Sequence, residues 1–457
     1  MHFPTATELV QRLRSKEISA VEVLEDHLRQ IERVNPQVNA IVTLVADQAR
    51  RRAAQLDEEA AHGRFGGVLH GLPIAHKDLN ETNGIRTTFG SPIFRDYVPD
   101  FNTPLVDRIQ RAGAVTLGKT NTPEFGAGSQ TFNPVFGATR NPWDLSKTCG
   151  GSSGGAAVAL ACGMLPIADG SDMGGSLRNP AAFCSVVGYR TSPGRVPKLT
   201  TGDVWSNLAV DGPMARTVQD VALFLSAIAE PASMFAEPLQ RDCHGLRIAW
   251  CGNFAGVPFD SGVRQIFQAS RKTFDALGCI TEDAAPDFSG ADEAFKVLRA
   301  LAFHANHGPK LPQYRDQMKA TVVHEIERGA NVTAQEMEQA DRRRNELCAR
   351  LHQFLRRYDF LVLPTTQVPA FDIELEYVRE IEGVAMESYI DWMRSCYFIT
   401  VTGLPAISIP AGFTPAGLPV GIQIVGRHRE DFGVLQIAHA FEGALGLQPR
   451  FPPIALA

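Results

Sequence analysis

The spacing of apolar residues near the start of the chain predicts helices. Over residues 5–34 the apolar positions recur every three to four residues, which is the period of an amphipathic helix. Ser19 precedes the second apolar run as a predicted N-cap, and Asn35-Pro36 is expected to end the helix. Residues 1–65 are therefore expected to form a helical segment that packs on the rest of the chain.

Beyond residue 66 the pattern changes to short apolar runs between glycine-rich turns, alternating with helical stretches. Three of these runs are LPIAHKD (72–78), AVTLGKT (114–120) and LPIADGS (165–171). Such alternation predicts an α/β domain with a largely buried sheet. Residues 291–357 are charged and mainly helical, and strand-like runs return from residue 359 onward. The C-terminal part is therefore expected to rejoin the sheet begun earlier.

Composition excludes several classes of protein. The 457 residues carry 44 basic and 50 acidic side chains, a net charge of −6, which argues against nucleic acid as a bulk partner. No run approaches the ~18 apolar residues that span a bilayer, and the N-terminus lacks a signal-peptide core. The eight cysteines form no CxxC pair. A reduced, cytoplasmic protein without a membrane partner is expected.

Glycines flank two serines in the segment CGGSSGGAAVALACG (149–163). A P-loop would need a lysine after the last glycine, and a dinucleotide loop would need GxGxxG; both are missing. GxSxG matches twice, centred on Ser152 and on Ser153, and indicates a nucleophile elbow that requires a downstream acid and histidine. His428 and His439 are available, but nothing around them marks a base. A third interpretation is N-capping of the next helix by a serine.

A second glycine–serine segment, LPIADGSDMGGSLRNP (165–180), follows a strand-like run. A loop between a strand and a helix can aim several backbone N–H groups at one oxyanion. Asn179-Pro180 is predicted to start the helix as its N-cap and first residue. Asp172 and Arg178 flank the loop and are predicted to pair and hold its shape.

A serine nucleophile needs a base, and a lysine in a dry setting is the alternative to histidine. Lys77 ends an apolar strand-like run, where a lysine is unusual. At its ordinary pKa of about 10.4 a lysine is almost wholly protonated at neutral pH, so the role requires a pKa lowered by burial. The plain alternative is a surface lysine. The histidines indicate no zinc site, because His304 and His307 form only HxxH and His324 begins HEIER.

Together these segments resemble the amidase signature family of Ser–Ser–Lys amide hydrolases. The resemblance rests on GLPIAHKD (71–78), GATRNPWD (137–144), CGGSSGGAAVALACG (149–163), SDMGGSLRNPAAFCSVVGYR (171–190) and GLPAISIPAGFTPAGLPVGIQIVGR (403–427). It covers about residues 66–230 and 359–442. It implies an α/β fold with a large mixed β-sheet sandwiched between α-helices. We expect one domain over 66–457 with a mainly helical insertion at about 240–357.

The resemblance also implies a catalytic triad. Lys77 would be the base, Ser152 the bridging serine after a cis Gly151–Ser152 peptide bond, and Ser176 the nucleophile. Neutral Lys77 would draw a proton through Ser152 from Ser176, which attacks the amide carbonyl to form an acyl-enzyme. No metal or cofactor is implied.

Around this triad the resemblance implies an oxyanion hole and supporting residues. The oxyanion would be bound by the backbone N–H groups of Met173, Gly174, Gly175 and Ser176. Met173 stands where the family usually has threonine, and His76 replaces the usual apolar neighbour of the lysine. A backbone N–H donor tolerates the methionine. If the run is extended, His76 points away from the lysine. Ser153, Asp172 and Arg178 are expected to support the site.

The family further places the loop FGAGSQTFNPVF (125–136) along the substrate cleft, with Gly126, Gly128 and Ser129 near the acyl group. Candidate wall residues are Trp205, Phe303 and Trp392. Family members cleave aliphatic and aryl amides, and sometimes esters or carbamates. The expected substrate is thus a small-molecule amide of undetermined type.

The favoured function is a stand-alone amidase that cleaves a linear, non-peptide amide. One alternative is the amidase-like glutaminase subunit of a tRNA-dependent amidotransferase; another is a catalytically idle binding protein. The segment GAGSQTFNPVFGATRNPWD (126–144) favours the stand-alone enzyme, and the presence of all three triad residues argues against the idle protein. A homo-oligomer is compatible with the sequence.

Overall fold

The computed structural model describes residues 3–198, 207–446 and 450–456. Within these ranges the α-helices are α1 (Ala6–Arg14), α2 (Ala20–Val38), α3 (Ala46–Ala61), α4 (Pro104–Arg111), α5 (Gly154–Ala161), α6 (Arg178–Cys184), α7 (Val218–Ile228), α8 (Ser261–Ala276), α9 (Ala291–His307), α10 (Leu311–Tyr314), α11 (Ala320–Ala330), α12 (Ala334–Leu355), α13 (Arg394–Thr402), α14 (Asp431–Leu445) and α15 (Pro453–Leu456). The strands are β1 (Ile41–Leu44), β2 (Pro73–Lys77), β3 (Val115–Thr120), β4 (Phe132–Asn133), β5 (Gly137–Ala138), β6 (Ile167–Asp172), β7 (Val187–Arg190), β8 (Val210–Ala215), β9 (Arg247–Trp250), β10 (Ile280–Asp283), β11 (Phe360–Pro364), β12 (Glu380–Ile381), β13 (Val384–Ala385), β14 (Ala406–Phe413) and β15 (Pro419–Val425).

The main sheet has eight strands in the order β10-β9-β11-β15-β14-β7-β8-β6. Its first three strands are parallel, and the remaining pairs are antiparallel. Helices α6, α8 and α14 pack against its central strands. The C-terminal strands β14 and β15 lie in the middle of this sheet, so the expected mixed α/β fold and the return of the C-terminus to the sheet are confirmed.

A second, smaller sheet has the order β1-β3-β2 and carries the run that ends at Lys77. The expectation that these runs share one sheet with the later strands is therefore wrong. Strand β2 contacts β6 of the main sheet, and the Lys77 N–H donates to Asp169 Oδ1 at 3.0 Å. Because every residue of β2 is buried, this strand is a core element between two layers.

The N-terminal helices follow the predicted pattern, with one difference at the end of α2. The Ser19 hydroxyl accepts the N–H of Glu22 as the predicted N-cap. The helix continues past Asn35 and contains Pro36, so the predicted stop is wrong. It ends where Asn39 adopts a left-handed conformation (φ 53°) and its N–H bonds Asn35 O at 2.8 Å, because asparagine tolerates that conformation at a helix end.

Helix α5 explains the small residues that follow the two serines. A Cβ on Gly154 would lie 2.2 Å from Thr131 Oγ1, and one on Gly155 would lie 2.4 Å from Asn121 N. Every residue of α5 is buried. The glycines and alanines of this segment therefore allow a helix to pass directly against neighbouring backbone.

The region between residues 240 and 357 supplies β9, β10 and helices α8–α12. Part of it is sheet, since β9 and β10 form one edge of the main sheet. Helices α9 and α11 pack together, and Phe303 with Val322 and Ile326 forms an apolar cluster that reaches Ala127. No helix in the described ranges is long and apolar enough to cross a membrane.

Candidate active site

Lys77 lies at the junction of the two sheets, at the C-terminal end of β2. Its ammonium nitrogen is 2.7 Å from Ser152 Oγ, 2.9 Å from Ser153 Oγ and 3.0 Å from Ser171 Oγ. The side chain has no solvent exposure, so the surface-lysine alternative is wrong. The Gly151–Ser152 peptide bond is cis, as predicted.

Burial strongly affects the protonation of Lys77. Desolvation lowers the pKa of Lys77 to about 7, against the opposing attraction of Asp211 and Asp169 for its charged form. A lysine in this state is substantially neutral near pH 7. The lowered pKa that a basic role requires is thus present before any substrate binds.

The contacts of Ser152 and Ser153 decide between the interpretations of the glycine–serine segment. Ser153 is the N-cap residue of α5, but its side chain makes no capping hydrogen bond and instead accepts from Lys77 Nζ at 2.9 Å. Among the described residues, neither His428 nor His439 hydrogen-bonds either serine. The segment is therefore built around a lysine, and the elbow with a histidine base has no support.

Ser176 lies close to these serines, on the loop that follows β6. Its carbonyl oxygen accepts the Ser153 N–H at 3.2 Å, and 9% of the residue is exposed. Among the hydrogen bonds of the described residues, none joins the Ser176 and Ser152 hydroxyls. The structure brings the two serines to one site without a direct bond between their side chains.

The loop before Ser176 presents fewer free N–H groups than predicted. The Gly175 N–H already donates to Asp172 Oδ1 at 3.0 Å, so its predicted place in an oxyanion hole is not supported. In the described ranges, the N–H groups of Met173, Gly174 and Ser176 have no hydrogen-bond acceptor. Gly175 has a φ of +111°, and a Cβ there would lie 2.6 Å from Cys396 Cβ, so the turn requires glycine.

Asp172 and Arg178 form the predicted pair and fix this loop. Arg178 donates to both carboxylate oxygens of Asp172, at 3.0 and 2.9 Å, and Arg190 donates to the Asp172 carbonyl oxygen at 2.6 Å. Burial raises the pKa of Asp172, but the two guanidinium groups outweigh it and hold that pKa well below its usual value. A wholly buried carboxylate therefore stays ionised and keeps accepting from the loop.

The carboxylate of Asp172 also explains where α6 begins. It accepts the N–H of Leu177 at 3.2 Å, which is the residue just before the helix. The helix consequently starts at Arg178, and the prediction that Asn179 is its N-cap and Pro180 its first residue is wrong. A distant acidic side chain takes the place of a local cap.

The predicted substrate loop borders the site, but its residues differ in what they offer. A Cβ on Gly126 would lie 3.4 Å from Ser152 Oγ, and Gly128 has open space beside it. Ser129 is committed elsewhere: its hydroxyl donates to Gly151 O at 2.6 Å and accepts from Asn179 Nδ2 at 2.8 Å. Ser129 thus holds the backbone before Ser152, and its predicted contact with substrate is not supported.

His76 points away from the Lys77 ammonium, as predicted for a strand. Its Nε2 lies 3.0 Å from Thr116 Oγ1, and its Nδ1 lies 3.5 Å from Asp169 Oδ2. Asp169 also accepts from the Lys77 backbone N–H. His76 consequently touches the base only through Asp169.

Three polar residues near Lys77 were missed in the sequence. Ser171 contacts its ammonium directly, Asp211 pairs with Ser171 across β6 and β8, and Lys198 Nζ lies 3.8 Å from Asp211 Oδ1. The alternation of Asp169 and Ser171 along β6 was the available signal, because residues two apart share one face of a strand. Asp211 left no local signal.

A cavity of about 380 Å³ adjoins the oxyanion loop. Its lining includes Phe89, Phe94, Phe125, Met173, Asp211 and His307. Phe303 belongs to the apolar cluster that packs against Met173, so it lies at the wall of the site. Trp392 stacks on Phe183 in the core, and Trp205 lies outside the described residues. In the described ranges no group of three metal-ligating side chains could hold an ion.

Comparison with protein families identifies the class of this fold and site. The Amidase family model matches residues 22–435. The chain belongs to the amidase signature family, and it is accordingly an enzyme that acts on the carbon–nitrogen bonds of amides. The expected family and fold class are thus confirmed.

Individual relatives fall into two functional groups. The acylamidase of Rhodococcus erythropolis is 35% identical, over 97% of this chain and 95% of its own. The amidase-type subunit of the glutamyl-tRNA(Gln) amidotransferase from Geobacillus kaustophilus is also 35% identical, over 98% of both chains. A crystal structure of a bacterial aryl acylamidase of the amidase signature family superposes with a TM-score of 0.90 at 27% identity, covering 97% of this chain and 96% of that one.

Proposed function

We propose that the protein is a stand-alone amidase that cleaves a linear, non-peptide amide of a small molecule through Lys77, Ser152 and Ser176. The observation that carries the proposal is the 2.7 Å contact between the buried Lys77 amine and Ser152 Oγ. A lysine with a pKa of about 7 can accept a proton at neutral pH, which is what a general base must do.

The steps follow from this arrangement. Neutral Lys77 takes the Ser152 hydroxyl proton while Ser152 takes the proton of Ser176. The Ser176 oxygen attacks the amide carbonyl, forming the C–O bond of a tetrahedral intermediate. As the C–N bond breaks, the proton returns through Ser152 to the leaving amine. Water then hydrolyses the acyl-enzyme by the same route in reverse, releasing the acid and restoring Ser176.

Stabilisation of the oxyanion is assigned to the N–H groups of Met173, Gly174 and Ser176. These donors lie on one loop and are not used by the rest of the described structure. The Asp172–Arg178 pair holds the loop before substrate arrives, so the donors need little reorganisation during the reaction. Ser153 supports Lys77 from the side opposite the reacting groups.

The cavity beside Met173 supports a substrate with an apolar or aromatic part. Phe89, Phe94 and Phe125 line it, and aromatic walls favour flat or apolar groups. Esters and carbamates with the same groups are included in the proposal, because a serine acyl-enzyme forms from each. The chemistry of the residues calls for no cofactor, and we propose a cytoplasmic enzyme without a nucleic-acid partner.

Labelling with a small fluorophosphonate, followed by peptide mass spectrometry, tests the assignment without knowledge of the substrate. We expect the label on Ser176, and we expect it to be lost in Lys77→Met protein that retains the circular dichroism of the wild type. Label on Ser152 or Ser153 would contradict the assigned roles. In a screen of anilides, Ser176→Ala should lose turnover by a factor on the order of 10⁴ or more, and near-normal turnover in that variant would contradict the proposal.

The second candidate is the glutaminase component of a tRNA-dependent amidotransferase, favoured by the equal identity to the Geobacillus kaustophilus protein. Copurification from the native host would distinguish the two functions. A stable partner and glutaminase activity that depends on it would establish the amidotransferase role. Turnover of anilides by the isolated chain, without glutaminase activity, would establish the amidase.

A further inference from the structure

An unoccupied side of the substrate loop faces a charged group from the variable region. Gly128 has a φ of +97°, and a Cβ built on it would lie 3.8 Å from Lys319 Nζ and 3.9 Å from the Tyr389 ring. Gly128 is followed by Ser129, which bonds the carbonyl oxygen of Gly151 beside Ser152. An ammonium group therefore stands next to the reacting serines, across the space that the glycine leaves open.

The Lys319 ammonium lacks an anionic partner of its own. Lys319 precedes α11, and its backbone N–H donates to Glu124 Oε2 at 2.6 Å. Its Nζ lies 4.4 Å from the centre of the Phe132 ring, but within the described ranges it makes no hydrogen bond and no ion pair. Burial lowers the pKa of Lys319, against the opposing attraction of Glu376 and Glu124. A carboxylate ligand would supply what this cation lacks.

The neighbouring charges already have partners. The Glu124 carboxylate accepts from Ser91 Oγ at 2.5 Å and from the Lys319 main chain, so it holds the position of the lysine rather than its charge. Arg299 lies 2.6 Å from Glu325 Oε1. An anion that enters beside Gly128 therefore meets an unpaired ammonium first.

An apolar wall continues from the same helix. Val322 and Ile326 of α11 cluster with Phe303 and Ala127, and Met173 packs against them. The charged group thus lies at one end of an apolar surface that reaches the oxyanion loop. A ligand that follows this surface would have an apolar body and one anionic end.

We propose that Lys319 binds a carboxylate of the substrate, so that the preferred substrate is an amide that also bears a carboxylate group. The inference rests on the proposed amidase function. It goes further by naming the charge of the substrate and the residue that selects it. Lys319 would contact substrate and set specificity without taking part in proton transfer.

Protection of Ser176 from a neutral fluorophosphonate tests the inference. The probes are the monoanilide of glutarate, which is anionic; 4-(hexanoylamino)benzoate, which carries its carboxylate on the amine side; and the neutral anilide of hexanoate. Wild type, Lys319→Met, Lys319→Arg and Lys310→Met are compared. Lys310→Met is the matched control, because Lys310 is another cation of the insertion and lines the aromatic cavity.

At least one anionic probe should protect wild type, Lys319→Arg and Lys310→Met at concentrations about 10- to 100-fold lower than it protects Lys319→Met. The neutral anilide should protect all four proteins equally. Absence of carboxylate preference in wild type would overturn the inference, as would its retention in Lys319→Met or its loss in Lys310→Met instead.

Calorimetric titration of the same probes separates this inference from the proposed function. If Ser176 takes no label, the amidase assignment fails. The carboxylate preference is then read from binding alone, with the same expected loss in Lys319→Met. Equal binding of charged and neutral probes to wild type would overturn the role of Lys319 whatever the outcome at Ser176.

Discussion

Ser171 Oγ lies 3.0 Å from Lys77 Nζ, although the two residues belong to different sheets. Ser171 is paired with Asp211 across β6 and β8, and Asp211 lies beside Lys198. The amine is therefore followed outward by a hydroxyl, a carboxylate and a second ammonium. This sequence of groups connects the buried lysine to the aromatic cavity, which Asp211 and Lys198 line.

The protonation of Lys77 predicts the pH dependence of the enzyme. Its pKa is lowered to about 7, and only the neutral amine can accept a proton. Turnover should therefore be low under acidic conditions and rise with pH through about 7 to a plateau. Initial rates of kcat/KM from about pH 5 to 9 measure this limb. A profile that rises only near the ordinary lysine pKa would contradict it.

The Asp211–Lys198 pair should move that limb in opposite directions. Asp211 stabilises the charged form of Lys77, so Asp211→Asn should shift the limb to lower pH by about one unit. Lys198 opposes the charged form, so Lys198→Met should shift it to higher pH, by less because Lys198 is partly exposed. Asp316→Asn, which removes an exposed carboxylate, is the control. Shifts of the same sign in both variants would show that the pair acts through structure instead.

Ser129 should affect turnover more than substrate binding. Its hydroxyl joins Gly151 O to Asn179 Nδ2, and removal of these bonds frees the backbone that carries Ser152. Ser129→Ala should lower kcat about tenfold or more with little change in KM. Ser226→Ala, whose hydroxyl bonds only within α7, should leave both unchanged. A rise in KM alone would instead indicate direct contact with substrate.

The buried Asp172–Arg178 pair should dominate the stability of the oxyanion loop. Arg178→Met leaves Asp172 without its bidentate partner and should lower the free energy of unfolding by about 3–5 kcal/mol. Because the pKa of Asp172 is held below its usual value, this stabilisation is complete at neutral pH and is lost as the pH falls into the acid range.

Urea denaturation at neutral and acid pH measures the effect of Arg178→Met. The control is Arg342→Met, which removes an exposed pair with Glu338 and should change the free energy of unfolding by at most about 0.5 kcal/mol. Equal losses in the two variants would contradict a special role for the buried pair.

Local sequence predicted those parts of the site that depend on neighbouring residues. The apolar run before Lys77 indicated a buried strand, and the small residues after Ser153 indicated a tightly packed helix. The strand pairing of Ser171 with Asp211 joins segments forty residues apart, and no local pattern carries that register. The approach of Lys319 to Gly128 depends on how α11 packs, which periodicity does not specify.

The occupied acceptors explain the other differences. Gly175 and Ser129 were expected to face substrate because of their place in the chain. Their N–H and hydroxyl groups are used by Asp172 and Gly151, which reach them from elsewhere in the fold. Sequence identifies the residues of a loop, but the partners that fold back onto it decide which of its polar groups remain available.

The position of β14 and β15 has a consequence for the birth of activity. These strands join β11 to β7, so the two halves of the main sheet meet only through residues 406–425. On the ribosome, Ser152 and Ser176 are made long before that connection exists. The nascent chain thus carries its reactive serines through most of synthesis without the scaffold that activates them, and hydrolysis begins only when almost the last strand has been inserted.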